Sequence, residues 1–183
     1  MINIGQKIHT RQINIATYEG TDDSVIVEGI LQDERLIDMY LATGEFRSPG
    51  TYHHMIIKMK VTIPRLIIMD IEVEMPTVPQ KACRETQKCL DLIKGLHIVS
   101  GFAAKVRGLI GGTKGCYHLL SLLTAMAPAA VQGSWNRMSK EPLDPETYLP
   151  MAIETMKNTC WLWREDGPLI IKIRGINDAE PND

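Results

Sequence analysis

The chain has 183 residues, 44% of them hydrophobic and 23% charged, and a net charge of -2. That length suits one domain with a core of its own, and the composition excludes a disordered chain. The near-neutral charge, the scattered basic residues and the two phenylalanines disfavour nucleic-acid binding, and no apolar run approaches the length of a membrane helix.

In chain order, the opening Met1 to Lys7 lacks the basic-then-apolar layout of a signal peptide, so a cytoplasmic protein is expected. Ile8 to Tyr18 alternates polar and β-branched residues, the period of a half-buried strand. Glu19 to Asp23 is turn-forming, and Ser24 to Gln32 reads as the returning strand of a hairpin. Asp33 to Tyr52 breaks the alternation and reads as a loop, with two glycines and a proline in its second half.

Alternation resumes over His53 to Ile63, Pro64-Arg65 turns, and Leu66 to Met75 reads as the partner strand of a second hairpin. After Pro76 and Pro79 the composition shifts to helix formers. Helices are predicted over Gln80 to Gly95, over Gly101 to Ile110 with Ser100 as N-cap, and from Gly115-Cys116 onward, strained or ended near Pro128. Ser134 to Pro145 reads as a break, Pro145 to Trp163 as one more helix, and Leu169 to Arg174 as a short strand.

The expected fold is therefore α+β: a meandering antiparallel sheet of about four strands, made of two hairpins, with three to four helices on one face. Residues 1–133 form the single α+β domain, 134–175 pack on it as a C-terminal helix and short strand, and 176–183 are expected to be a disordered tail.

Four cysteines, Cys83, Cys89, Cys116 and Cys160, contain no C-x-x-C pair, which points to free thiols or ligands rather than a disulfide framework. Cys116 follows Gly115 at a predicted helix start, where unpaired N–H groups and the positive end of the helix dipole favour a thiolate; His118 is two residues on. The competing reading is a tight turn in which Cys116 packs as a small apolar residue. A phosphate loop is not indicated, because Lys114 precedes the last glycine of Gly111 to Gly115.

Cys83 opens the helix after the prolines, whereas Cys89, six residues on, falls about 240° around an α-helix and reads as core. His53 and His54, adjacent in a strand, point to opposite faces, so at most one joins a shared site. His9 and His97 read as ordinary strand and connector residues, Asp70, Glu72 and Glu74 as a solvated strand face, and Cys160 as packing beside Trp161 and Trp163.

The motif order "IHTRQI", "HHMIIKMKVTI", "IMDIEVEM", "LIKGLHIVSGFAAKVRGLIGGTKGCYHLLSLL" and "MAPAAVQ" resembles the uncharacterised bacterial domain-of-unknown-function family DUF2889 across Ile8 to Gln132. That resemblance supports the architecture and points to Cys83, Cys116 and His118 without implying a reaction. The family pattern G-C-T-H-L-x-E-L-L is met here with Tyr117 for the threonine and Ser121 for the glutamate, which leaves any role of that carboxylate without its residue.

A fainter similarity of motif order, to iron–sulfur cluster scaffolds of the NifU and SufE type, aligns Tyr52-His53-His54, Cys83 and Cys116-Tyr117-His118 with their ligand positions. A histidine stands there for a thiolate, which suits zinc or a mixed Fe–S ligand set. Three readings follow. One is a metal-binding or carrier domain, zinc or Fe–S, using Cys83, Cys116, His118 and His53 or His54. Another is a thiol enzyme with Cys116 as nucleophile and a histidine base, and the third is a non-catalytic subunit that binds a protein partner.

Overall fold

The computed structural model describes residues 1–177 and places a four-stranded antiparallel sheet beneath helices, in the α+β arrangement expected. The strands are β1 (His9–Glu19), β2 (Ser24–Arg35), β5 (Gly50–Thr62) and β6 (Ile68–Thr77), adjacent in that order. A two-stranded hairpin, β3 (Met39–Tyr40) with β4 (Phe46–Arg47), lies between β2 and β5. The helices are α1 (Phe102–Ile110), α2 (Tyr117–Met138), α3 (Pro145–Met156) and α4 (Pro168–Asn177). No helix among the described residues is long and apolar enough to cross a membrane.

One face of the sheet is apolar: Val25, Val27 and Leu31 of β2 and Met55, Ile57, Met59 and Val61 of β5 are essentially inaccessible. Against it α2 turns Leu119, Leu122, Leu123 and Met126. Gly29 makes the crossing close, since a Cβ there would stand 2.6 Å from Met126 Sδ and 3.0 Å from Leu122 Cδ1. We expect Gly29→Ala to cost about 1–3 kcal/mol by overpacking. Urea denaturation measures it, and an unchanged midpoint would contradict this seating of α2.

Several elements depart from the periodicity reading. β2 runs three residues past Gln32 and β5 begins three before His53, so part of the expected loop is sheet. The segment Lys81–Ile93 is a run of 3-10 turns rather than an α-helix. At three residues per turn, Cys83 and Cys89 lie two full turns apart and share a side, with Thr86 between them, instead of lying 240° apart. Both sulfur-bearing side chains pack on the core, Cys89 buried and Cys83 half-buried.

Gly101, not Ser100, is the N-cap of α1, because its left-handed φ of 85° makes the turn. α2 continues through Pro128 and into the first residues of the expected break, ending at Met138, so that the break is confined to residues 139–144. α3 is capped by the Asp144 carboxylate, which accepts from the backbone N–H of Glu146 and Thr147, and it stops at Met156. Asn158, at a φ of 62°, follows shortly after that end. Leu169 to Arg174, expected as a strand, is helical within α4: Ile170 and Ile173 are buried three residues apart, which is a helical spacing. Of the expected tail, residues 178–183 lie outside the described residues.

Candidate functional site

At the end of the apolar stripe where β2 continues past Leu31, the next inward position is Asp33, fully buried. A carboxylate there requires compensation, and the sheet register supplies it from both sides. Arg11 of β1 and His53 of β5 are the direct cross-strand partners of Asp33. Arg11 Nε and Nη2 donate to Asp33 Oδ1 and Oδ2 at 2.6 and 2.7 Å, a two-point guanidinium–carboxylate pair. His53 Nδ1 lies 2.9 Å from Asp33 Oδ2.

The first turn of α2 closes the site from above. Cys116 is the N-cap and its side chain makes no capping bond; His118 lies in the turn that follows. The His118 ring lies 3.7 Å from the His53 ring, centroid to centroid. Its Nε2 is 3.6 Å from Asp33 Oδ2, and its Nδ1 is 3.8 Å from Cys116 Sγ. His9, two residues before Arg11 on the same face of β1, puts Nε2 3.6 Å from Asp33 Oδ1. These 3.6 Å approaches are too long for hydrogen bonds but fall within the range of two ligands sharing one ion.

A β-bulge finishes the arrangement. His53 faces Asp33 and Thr51 faces Glu34, which leaves Tyr52 as the extra residue in β5. The bulge sets the Tyr52 ring against both His53 (4.7 Å) and His9 (5.9 Å). His9, Tyr52 and His53 line a cleft of 690 Å³ between the sheet end, the β3–β4 hairpin and the strap Thr77–Gln80.

The electrostatics follow from burial. Burial pushes the His118 imidazole down to about 4, helped by His53 and Arg11 and opposed by Asp33. Burial also lowers His53, against the hydrogen bond it donates to Asp33, which raises it. Burial alone would raise the Asp33 carboxyl, but Arg11 and His53 outweigh it and hold the group below its ordinary value. At neutral pH the site therefore holds one carboxylate and two neutral imidazoles; His53 donates its Nδ1–H to Asp33, which leaves its lone pair on Nε2.

His53 and His118, from separate segments of the sequence, meet here, and Cys116 stands beside His118. His54 points to the other face of the sheet, in register with Gln32 and Thr77. Among the described residues, the group of three or more whose ligand atoms all lie within 4.8 Å of one another is Asp33, His53 and His118; it does not include Cys83, Cys116 or His54. The sulfur neighbouring the Cys116 backbone is that of Cys89, whose thiol burial pushes upward.

The match to the family model described as "Protein of unknown function (DUF2889)" spans residues 9–132. The chain belongs to the DUF2889 family. The matched span contains His9, Arg11, Asp33, His53, Cys116 and His118, so the whole cluster falls inside the DUF2889 region. No curated protein matches the chain, and no solved structure matches it, so the likeness to NifU and SufE scaffolds gains no support from them.

Proposed function

We propose that this DUF2889 protein binds one divalent transition-metal ion through Asp33, His53 and His118. The observation that carries the reading is the separation of these donors. Two ligands about 2.1 Å from one ion stand about 3.0 Å apart at a right angle and about 3.4 Å apart in a tetrahedron. Asp33 Oδ2 lies 2.9 Å from His53 Nδ1 and 3.6 Å from His118 Nε2. An ion taken up there would replace the Asp33–His53 hydrogen bond with shared coordination, the imidazole exchanging its Nδ1 proton for one on Nε2 through solvent, and Arg11 would fix the carboxylate from behind, as outer-shell partners do.

Nitrogen and oxygen donors suit mononuclear zinc or ferrous iron, whereas Fe–S clusters prefer thiolates. Three protein ligands leave a coordination position open, the pattern of sites that act on a bound molecule, and the adjoining cleft gives such a molecule a place.

Protein purified without oxygen or chelators is expected to carry about one metal per chain, with metal removed by a chelator restored on titration. His53→Ala and His118→Ala should each weaken uptake at least about 100-fold, and Cys116→Ala should leave it unchanged. No uptake by the parent protein would overturn the reading.

One observation favours a second reading. Cys116 Sγ, His118 and Asp33 form a chain of 3.8 and 3.6 Å, the order of a nucleophile, a base and its orienting carboxylate. A thiol enzyme would show Cys116 alkylated by iodoacetamide far faster than Cys83 or Cys160 in metal-free protein, with the difference lost in His118→Ala.

A further inference from the structure

The cleft beside the cluster holds a cation whose charge is left open. Arg35 continues the inward face of β2 two residues beyond Asp33, with His9 of β1 and Gly50 of β5 as its register partners. Its Nε and Nη2 both donate to the Ser48 carbonyl, at 3.1 and 2.6 Å, and its Nη1 approaches Met39 Sδ at 3.7 Å. Those partners are neutral, and among the described residues no carboxylate pairs with it. The other guanidinium lining the cleft, Arg47, is already neutralised by Glu45 at 2.6 Å.

A guanidinium has five N–H donors, of which Arg35 has committed three. One remains on each terminal nitrogen, the pair that receives a carboxylate at two points. The Tyr52 ring packs beneath the group, 5.7 Å from its carbon, and holds it in place. The neighbouring walls, Ile8, Ile37, Leu41, Val78 and Pro79, are apolar. A single open cation above an apolar trough suits one negative charge on a hydrophobic body, and suits a phosphate dianion poorly.

From this we infer that the cleft takes a small organic carboxylic acid, its carboxylate on Arg35 and its apolar body along the wall that ends in His9 and His53. The binding half of this stands on the cleft alone; that the far end of the acid meets a metal rests on the proposed function. The acid would be presented carboxylate outward, with its distal end toward the cluster.

The test uses the full chain after chelator treatment, so that a failure of metal binding does not enter. Isothermal calorimetry compares 3-phenylpropanoate with its uncharged amide, 3-phenylpropanamide. The acid is expected to bind at least about tenfold more tightly than the amide, and Arg35→Gln to abolish that preference. Arg35→Lys, which keeps the charge but not the two-point edge, should retain part of the preference, and Arg47→Gln should retain all of it. Thermal melts of each variant identify any that fails to fold. Equal binding of acid and amide, no binding of either, or a preference that survives Arg35→Gln would each overturn the inference.

Discussion

Asp33→Ala is expected to destabilise the metal-free protein by about 3 kcal/mol at pH 7, in the range found when one partner of a buried ion pair is removed. Asp33 is fully buried, and Arg11 is one-third exposed, so solvent relieves part of the orphaned charge and keeps the loss at the lower end of that range. The loss has two sources. Arg11 is left without its two-point partner, and His53 Nδ1 loses the acceptor that sets its tautomer. Adding Arg11→Met should restore part of the stability, because an apolar pair in place of an ion pair leaves no stranded charge. Urea denaturation of the parent, both single variants and the double variant gives the coupling directly. A change below about 0.5 kcal/mol for Asp33→Ala would show that the cross-strand row does not hold the sheet end together.

The second large effect is with acid. His118 has a folded-state value of about 4 against 6.5 for an unperturbed imidazole. Because the folded value is the lower one, the unfolded chain takes up the proton first as pH falls, so stability is full above about pH 6.5 and declines toward pH 4. At 1.36 kcal/mol per pH unit the loss reaches as much as about 3 kcal/mol. His53, also lowered by burial, pulls the same way, and Asp33, held below its ordinary value by its partners, adds a further loss once pH falls through the carboxylate range. His118→Gln, which cannot be protonated, should make the profile shallower between pH 4 and 6.5, leaving the part that His53 contributes. A parent protein equally stable at pH 4.5 and 7 would contradict the burial of these imidazoles.

The α+β class and the pairing order of the four long strands are legible in the alternation of the two hairpins, clearest in β2 and β5, which place apolar residues inward at every second position. The end of the sheet that forms the site is not legible in that way. Asp33 occupies an inward position, but a buried carboxylate breaks an apolar alternation as surely as a loop does. Asp33-Glu34-Arg35 therefore reads as the end of a strand that in fact continues. The sequence carries one usable signal: counting two residues on from Leu31 lands on Asp33, and two beyond that on Arg35, the same face throughout.

Arg11 and His9 are hidden for a related reason. Both sit on the inward face of β1 with polar residues around them, and only pairing across to Asp33 turns them into a site. His53 could be singled out but not chosen over His54, because the choice depends on the β5 register and on the bulge at Tyr52. Cys116 and His118 were visible through their place after Gly115. What joins them is the crossing of α2 over Gly29, a tertiary contact without a local signature. The 3-10 run at Lys81–Ile93 is similar: its residues suit an α-helix, and the spacing of three among Cys83, Thr86 and Cys89 shows its meaning only once the core face is known.

The donors proposed for the metal are one carboxylate and two imidazoles, those of Asp33, His53 and His118. X-ray absorption at the zinc edge, on chelator-treated protein reloaded with one equivalent of zinc, tests this set most directly. The expected first shell is nitrogen and oxygen alone at about 2.0–2.1 Å, with the outer scattering of two imidazoles. A sulfur shell at about 2.3 Å would move the site onto the cysteines, and failure to retain zinc would remove it altogether.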